Sequence, residues 1–214
     1  MAFDPVYGYA LAVAPIKDSD INSTERYSGW LTDMSIRHII DIYGNTSALS
    51  GVNLVDPEWL SRWDGLPPAT TPWFLTSRSS SSDESLARPL QGLAMPFHSN
   101  NSHWTTIYVN FEARGAVYFD SLGGEGKDAE TRVRRFFDVF RGFFQGSGGF
   151  RWEVWRGCAM QGDGSACGVY TVRNCLDLLD RRVPRSEALS AEQIRCFRRN
   201  AGKCLRRRLE REGI

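Results

Sequence analysis

One cysteine, one histidine, one aspartate and one glutamine in this chain have the types and setting that nucleophilic chemistry requires. Residues 161–172, QGDGSACGVYTV, carry two glycines and small polar residues into Cys167 and then into an apolar run. That pattern places Cys167 at the start of a helix, where unpaired backbone N–H groups and the helix dipole favour thiolate over thiol. His103 heads the run HWTTIYVNF, and Asp120 follows the run AVYF. If the two runs pair across the intervening EARG, their outer ends are neighbours. A carboxylate there can hold the imidazole in the tautomer that accepts a thiol proton. Gln161, across the Gly162-Asp163-Gly164 turn, could fold its amide back beside the sulfur and, with the Cys167 N–H, receive the oxyanion formed when a thiolate attacks a carbonyl. A nucleophile, a base, an orienting group and an oxyanion donor are then all present.

Each of these residues also has an ordinary reading. A cysteine in an apolar setting is most often a small core residue, and Cys158, Cys175, Cys196 and Cys204 read that way. His38 and His98 read as structural histidines. Zinc is a poor alternative, because the five cysteines form no C-x-x-C pair and there is no H-x-x-x-H knuckle.

The elements that must position these groups leave uneven traces. WLTDMSIRHIIDIYG puts Trp30, Ile36, Ile39, Ile40 and Tyr43 near one helical face and stops at Gly44. The runs WTTIYVNF and AVYF predict an antiparallel hairpin. TRVRRFFDVFRGFF spaces Val133, Phe136, Phe137, Phe140 and Phe144 as the inner face of a helix, and GVYTVRNCLDLLDRR does the same with Val169, Val172, Leu176 and Leu179. TSRSSSSDES, residues 76–85, reads as a surface loop or linker. The order of helix, strands, helix, strand and helix, without internal repeats, predicts an α+β fold.

The bulk properties frame this reading. At 214 residues, 42% hydrophobic and 12% aromatic, the chain can bury one sizeable core. An odd number of cysteines and the lack of a leader pattern predict an intracellular protein, nuclear or cytoplasmic, with reduced thiols. No run approaches the roughly 20 apolar residues of a membrane helix, the best being YALAVAPI near the start, so a soluble protein is expected. The formal charge of +1 hides an asymmetry. Residues 195–214 hold eight Lys or Arg against two Glu, a local +6, which leaves −5 for residues 1–194. Such a tail could meet nucleic acid or acidic lipid, or act as an import signal. Ser190 and Gln193 form a capping-box pattern, however, and Ile194, Phe197, Ala201, Leu205 and Leu209 recur at helical spacing. A packed amphipathic helix over 189–214 with a solvated arginine face is the preferred reading, following a catalytic domain over 1–188.

Taken jointly and in order, His103-Trp104, Phe119-Asp120-Ser121-Leu122, Gln161 and Cys167-Gly168-Val169-Tyr170 resemble the ubiquitin-like-protein-specific cysteine proteases, the SUMO-protease family related to the adenovirus protease. Trp30-Leu31-Thr32-Asp33 is similar to the family's Trp-Leu-Asn-Asp motif, and Met95-Pro96-Phe97 to its apolar-proline strand entry. The resemblance covers roughly residues 18–179. It implies a papain-like, adenain-like fold, with a central mixed sheet flanked by helices. It also implies a catalytic triad of Cys167, His103 and Asp120, with Gln161 in the oxyanion hole. Trp30 and Trp104 would form a tunnel around the modifier's C-terminal Gly-Gly, and Asp33 would contact a basic residue of the modifier. The implied enzyme is a monomer acting without metal or cofactor on SUMO or another ubiquitin-like modifier and its conjugates, with no membrane or nucleic-acid partner. Ubiquitin and NEDD8 stay open as modifiers, as do an acetyltransferase with the same triad and a modifier-binding domain without turnover. Three positions depart from the family pattern: Ala166 where Asp is usual, Asp163 where Asn is usual, and Thr32 for Asn.

Overall fold

The computed structural model describes residues 15–44, 51–57, 59–68, 72–75 and 90–212. The serine-rich stretch 76–85 and most of the run YALAVAPI lie outside them. Five strands form one mixed sheet in the order β1-β2-β3-β4-β5. They are β1 (Val52–Leu54), β2 (Gly92–Ser99), β3 (His103–Asn110), β4 (Gly115–Phe119) and β5 (Arg151–Val154). The two outer pairings, β1 with β2 and β4 with β5, are parallel, and the two inner ones are antiparallel. The expected hairpin is β3–β4, with Asn110 opposite Gly115 at its turn. β2, legible only as an apolar-proline entry, is a full central strand in which Pro96 faces Thr106.

Alternation along the strands divides the core in two. Leu93, Met95, Phe97, Ile107 and Val109 face one side, where Phe136, Phe137, Phe140 and Phe144 cover them. Ala94 and Trp104 face the other side, against residues of α2 (Asp33–Tyr43), α5 (Cys167–Leu179) and α6 (Ala191–Glu212). A short α1 (Asp18–Glu25) precedes these and packs on α6, and α3 (Trp59–Arg62) lies on the same side of the sheet as α4 (Lys127–Val139). α1 has no apolar periodicity to announce it; Asp20, Ile21 and Thr24 are its only buried residues.

Three sequence expectations need adjustment. α4 (Lys127–Val139) ends earlier than its phenylalanine pattern: Phe140 caps it and Phe144 returns through a 3-10 turn, although both rings stay in the core. α5 is not amphipathic. All of it except Leu176 is buried, because the sheet covers one face and α2 and α6 cover others. Trp30 does not belong to the α2 face. Thr32 caps that helix by accepting the Ser35 N–H at 3.0 Å, so Trp30 lies before it, 47% exposed, and Tyr43 at the far end is exposed as well. A threonine caps here as well as an asparagine would, which accounts for the departure at position 32.

α6 begins with the predicted capping box: Ser190 N–H donates to Gln193 Oε1 at 2.7 Å, and Gln193 N–H to Ser190 Oγ at 3.2 Å. Ile194, Ala201 and Leu205 enter the cluster that contains Cys167 and Val169. The exposed side carries Arg195, Arg199, Lys203, Arg206, Arg207 and Arg211.

Candidate active site

The hairpin and α5 bring three of the predicted residues together. His103 opens β3, and Asp120 directly follows β4, its neighbour in the sheet. His103 Nε2 lies 2.7 Å from Asp120 Oδ1. Cys167 is the first residue of α5, close enough to His103 for the two to shift each other's titration.

The Asp120 carboxylate is held from several directions. Oδ1 also accepts the Leu122 N–H at 2.7 Å, and Oδ2 accepts the Gly124 N–H at 3.0 Å and the Tyr118 hydroxyl at 3.3 Å. A Cβ at Gly124 would stand 2.5 Å from Oδ2, so only glycine lets this loop close on the carboxylate. Burial opposes the charge on Asp120, but the His103 bond and the two backbone N–H groups outweigh it and lower its pKa.

The same competition settles the other two groups. Burial disfavours a charged His103, yet hydrogen bonds to Asp120 and Cys167, with their negative charge, raise its pKa from 6.5 to about 9. Burial likewise disfavours a Cys167 thiolate, yet His103 and the backbone N–H groups of Trp104 and Gly168 lower the thiol below its ordinary value. Both shifts run in the direction that favours thiolate and imidazolium over thiol and neutral imidazole. Elsewhere burial prevails. Cys175, wholly enclosed in α5, is pushed up to about 12, and Cys158 is also raised while donating to the Asp120 carbonyl.

Gln161 joins this group from the Asp120 side. Its N–H donates to the Ser121 carbonyl at 2.9 Å, and its Oε1 accepts the Ser121 hydroxyl at 2.6 Å. Its Nε2 donates to the Asp163 carbonyl, so the amide is turned into its own loop rather than onto the sulfur. The sequence assigns no contact to Ser121 or Asp163, although Ser121 lies within the FDSL motif and Asp163 is one of the departures from the family pattern. Asp163 Oδ1 accepts the Ser165 and Ala166 N–H groups, each at 2.7 Å, and so shapes the turn that delivers Cys167. Ala166 is wholly buried.

Trp104 and Trp30 have different surroundings. Trp104 is 2% exposed; its Nε1 donates to the Leu31 carbonyl at 2.8 Å, and its ring stacks on His98 at 4.2 Å. Trp30, next to Leu31, is half exposed. The two indoles are thus adjacent through Leu31 and not stacked on one another. Asp33 is the first residue of α2 and half-buried, apart from the Cys167 group. His38 is buried within α2.

A family model described as the Ulp1 protease family, C-terminal catalytic domain, matches residues 88–211, which include every one of these groups except Trp30, Leu31, Asp33 and His38. The chain belongs to the Ulp1 protease family. It is accordingly a cysteine protease domain, and the mixed sheet between helices is the fold of that family. Solved structures agree on the fold. A SUMO protease Ulp1 with its catalytic cysteine oxidised to a sulfinic acid superposes with a TM-score of 0.61 at 17% identity, over 94% of this chain and 88% of that one. The C-terminal Ulp1 protease domain in complex with Smt3, the yeast ortholog of SUMO, gives 0.57 at 15% identity, over 91% and 90%. The Xanthomonas campestris effector XopD bound to ubiquitin gives 0.51 at 14%, over 92% and 100%. At these identities the likeness concerns the fold. No curated protein matches the chain in sequence.

Proposed function

We propose that this Ulp1-family domain cleaves after the C-terminal Gly-Gly of SUMO or a related ubiquitin-like modifier, in precursors, in conjugates or in both. The observation that carries the reading is His103, bonded at 2.7 Å to Asp120 through Nε2 and close enough to Cys167 to lower its thiol. Cys167 is the nucleophile. His103, protonated in the resting pair, passes its proton to the leaving amine as the acyl-enzyme thioester forms. It then takes a proton from the water that hydrolyses the thioester. Asp120 orients the ring and offsets the imidazolium charge. Gln161 rotates its amide from the Asp163 carbonyl to the oxyanion, pivoting on the Ser121 hydroxyl that holds its oxygen.

The substrate assignment rests on the walls of the site. Trp104 is fixed by Leu31 and His98, and Trp30 stands half exposed beside Leu31, where the family resemblance places the two sides of a passage for a thin substrate tail. Two glycines satisfy that. Asp33, at the start of α2, is available to a basic residue on the modifier. The relatives solved with Smt3 and with ubiquitin favour a folded modifier as the substrate.

The test is a panel of SUMO, NEDD8 and ubiquitin probes, each ending in an electrophile, applied to wild type and Cys167→Ala. At least one probe should label Cys167 in the wild type, and none should label the variant. Folded wild type that reacts with none of the three would overturn the reading.

A further inference from the structure

Arg198 is the largest side chain wholly enclosed among the described residues, 1% exposed, although it comes from α6, whose other arginines mostly face solvent. Its Nη2 donates to the Ser165 carbonyl at 2.9 Å and its Nη1 to the Thr24 carbonyl at 3.4 Å, while Nε has no hydrogen-bond partner. Both partners are neutral oxygens. A buried cation bonded only to neutral groups is costly unless negative charge nearby offsets it. Burial lowers the Arg198 pKa, and the negative groups that work against that are Asp163, then Cys167, then Tyr27. Asp163 is already engaged by the Ser165 and Ala166 N–H groups. The wholly buried Ala166 adds no carboxylate that would neutralise the guanidinium.

We propose that Arg198 is a positioning residue for Cys167: its guanidinium anchors the Ser165 carbonyl, two residues before the sulfur, and its charge favours the thiolate. The C-terminal helix is then part of the catalytic machinery. The inference rests on the reading of Cys167 as nucleophile. The titratable and charged groups facing Cys167 and Arg198 are His103 from β3, with Asp120 behind it, Asp163 from the turn, and Tyr27 after α1, which lies under the Arg195 guanidinium.

The test follows alkylation of Cys167 by iodoacetamide across pH, read by peptide mass spectrometry to separate it from the exposed Cys196. Arg198→Gln keeps a donor for Ser165 but removes the charge; Arg198→Lys keeps the charge. In the glutamine variant the acid limb should move up by about one pH unit, with ~10-fold slower reaction below it and the same plateau at high pH. The lysine variant should stay within about 0.3 unit of wild type. A folded glutamine variant with an unmoved limb, or a lysine variant shifted as far as the glutamine one, would overturn the proposal. If the glutamine variant does not fold, the wild type still decides. The Arg198 Nε–H resonance should follow the Cys167 titration and stay flat in Cys167→Ser, and a resonance indifferent to that titration overturns the proposal. A wild-type Cys167 no more reactive than Cys196 would instead remove the proposed function beneath it.

Discussion

Trp104, from the strand that carries His103, donates its indole N–H to the Leu31 carbonyl at 2.8 Å across 73 residues of sequence. Leu31 in turn packs against Gly168, beside Cys167, so closely that a Cβ on the glycine would lie 2.8 Å from the leucine's. One residue therefore spaces the histidine strand, the Trp30 segment and the start of α5.

Gly168→Ala should disturb that spacing directly. An added methyl group with no room costs about 1–3 kcal/mol in a packed core. We expect a loss of that order in denaturant unfolding, together with slower probe labelling. Trp104→Phe keeps the ring but leaves the Leu31 carbonyl unpaired, at a cost of about 1–3 kcal/mol. Unchanged stability in both variants would mean that Leu31 is not a rigid spacer.

Asp120→Asn keeps the side chain's shape but only one of its two acceptor oxygens, so it holds either the Leu122 or the Gly124 N–H, and it removes the charge that supports the imidazolium. The expected fall in kcat is about 10³–10⁴-fold, with a smaller effect on KM. Gly124→Ala, which forces a Cβ to 2.5 Å from Oδ2, should lower kcat in the same direction without altering any charge. Steady-state cleavage of a modifier fusion checks both, and a fully active asparagine variant would remove Asp120 from the mechanism.

The titration of the pair sets both the activity and the stability profile. His103 is raised to about 9 in the folded protein, so its contribution to stability is complete below pH 6.5 and disappears as pH rises through about 9. The stability lead of wild type over His103→Gln should therefore narrow from pH 6.5 to 10; a constant gap would contradict the pairing. Cys167 has the opposite sign. Its lowered value contributes fully above the ordinary thiol value of 9.0, and the contribution fades as pH falls through the folded value. Activity should show an alkaline limb near pH 9 and an acid limb below that of a free thiol. Cys175, held at about 12 by burial, should not react across this range.

Ser121→Ala tests the hinge of the oxyanion donor. Without the 2.6 Å bond to its oxygen, the Gln161 amide loses its pivot, and kcat should fall by roughly 10-fold with KM little changed. Gln161→Ala should cost about 10²–10³ in kcat. A double variant no worse than Gln161→Ala alone would show that Ser121 acts through the glutamine.

Much of this site was legible in the chain because its parts are local. Cys167 at a helix start, His103 and Asp120 at the two ends of one hairpin, and the Ser190–Gln193 box each depend on residues close in sequence, where turn chemistry and periodicity speak directly. β2 and α1 were harder to read, since β2 is apolar on both faces and α1 has almost no apolar stripe. Trp30 was drawn onto the α2 face by periodicity alone, and the cap at Thr32 ended that helix before reaching it.

By itself the sequence determined the order His, Asp, Gln, Cys, the α+β character, the hairpin and the helices with a strong apolar period. Only the tertiary structure decided that α5 is enclosed on all sides, that Leu31 ties Trp104 to Gly168, and that the Gln161 amide rests against the Asp163 carbonyl. It alone also decided that one arginine of a basic helix is buried beside the nucleophile's turn. The reason is range. Arg198 meets Ser165 across 33 residues and Thr24 across 174, and contacts of that span arise from packing and leave no periodic trace in the chain.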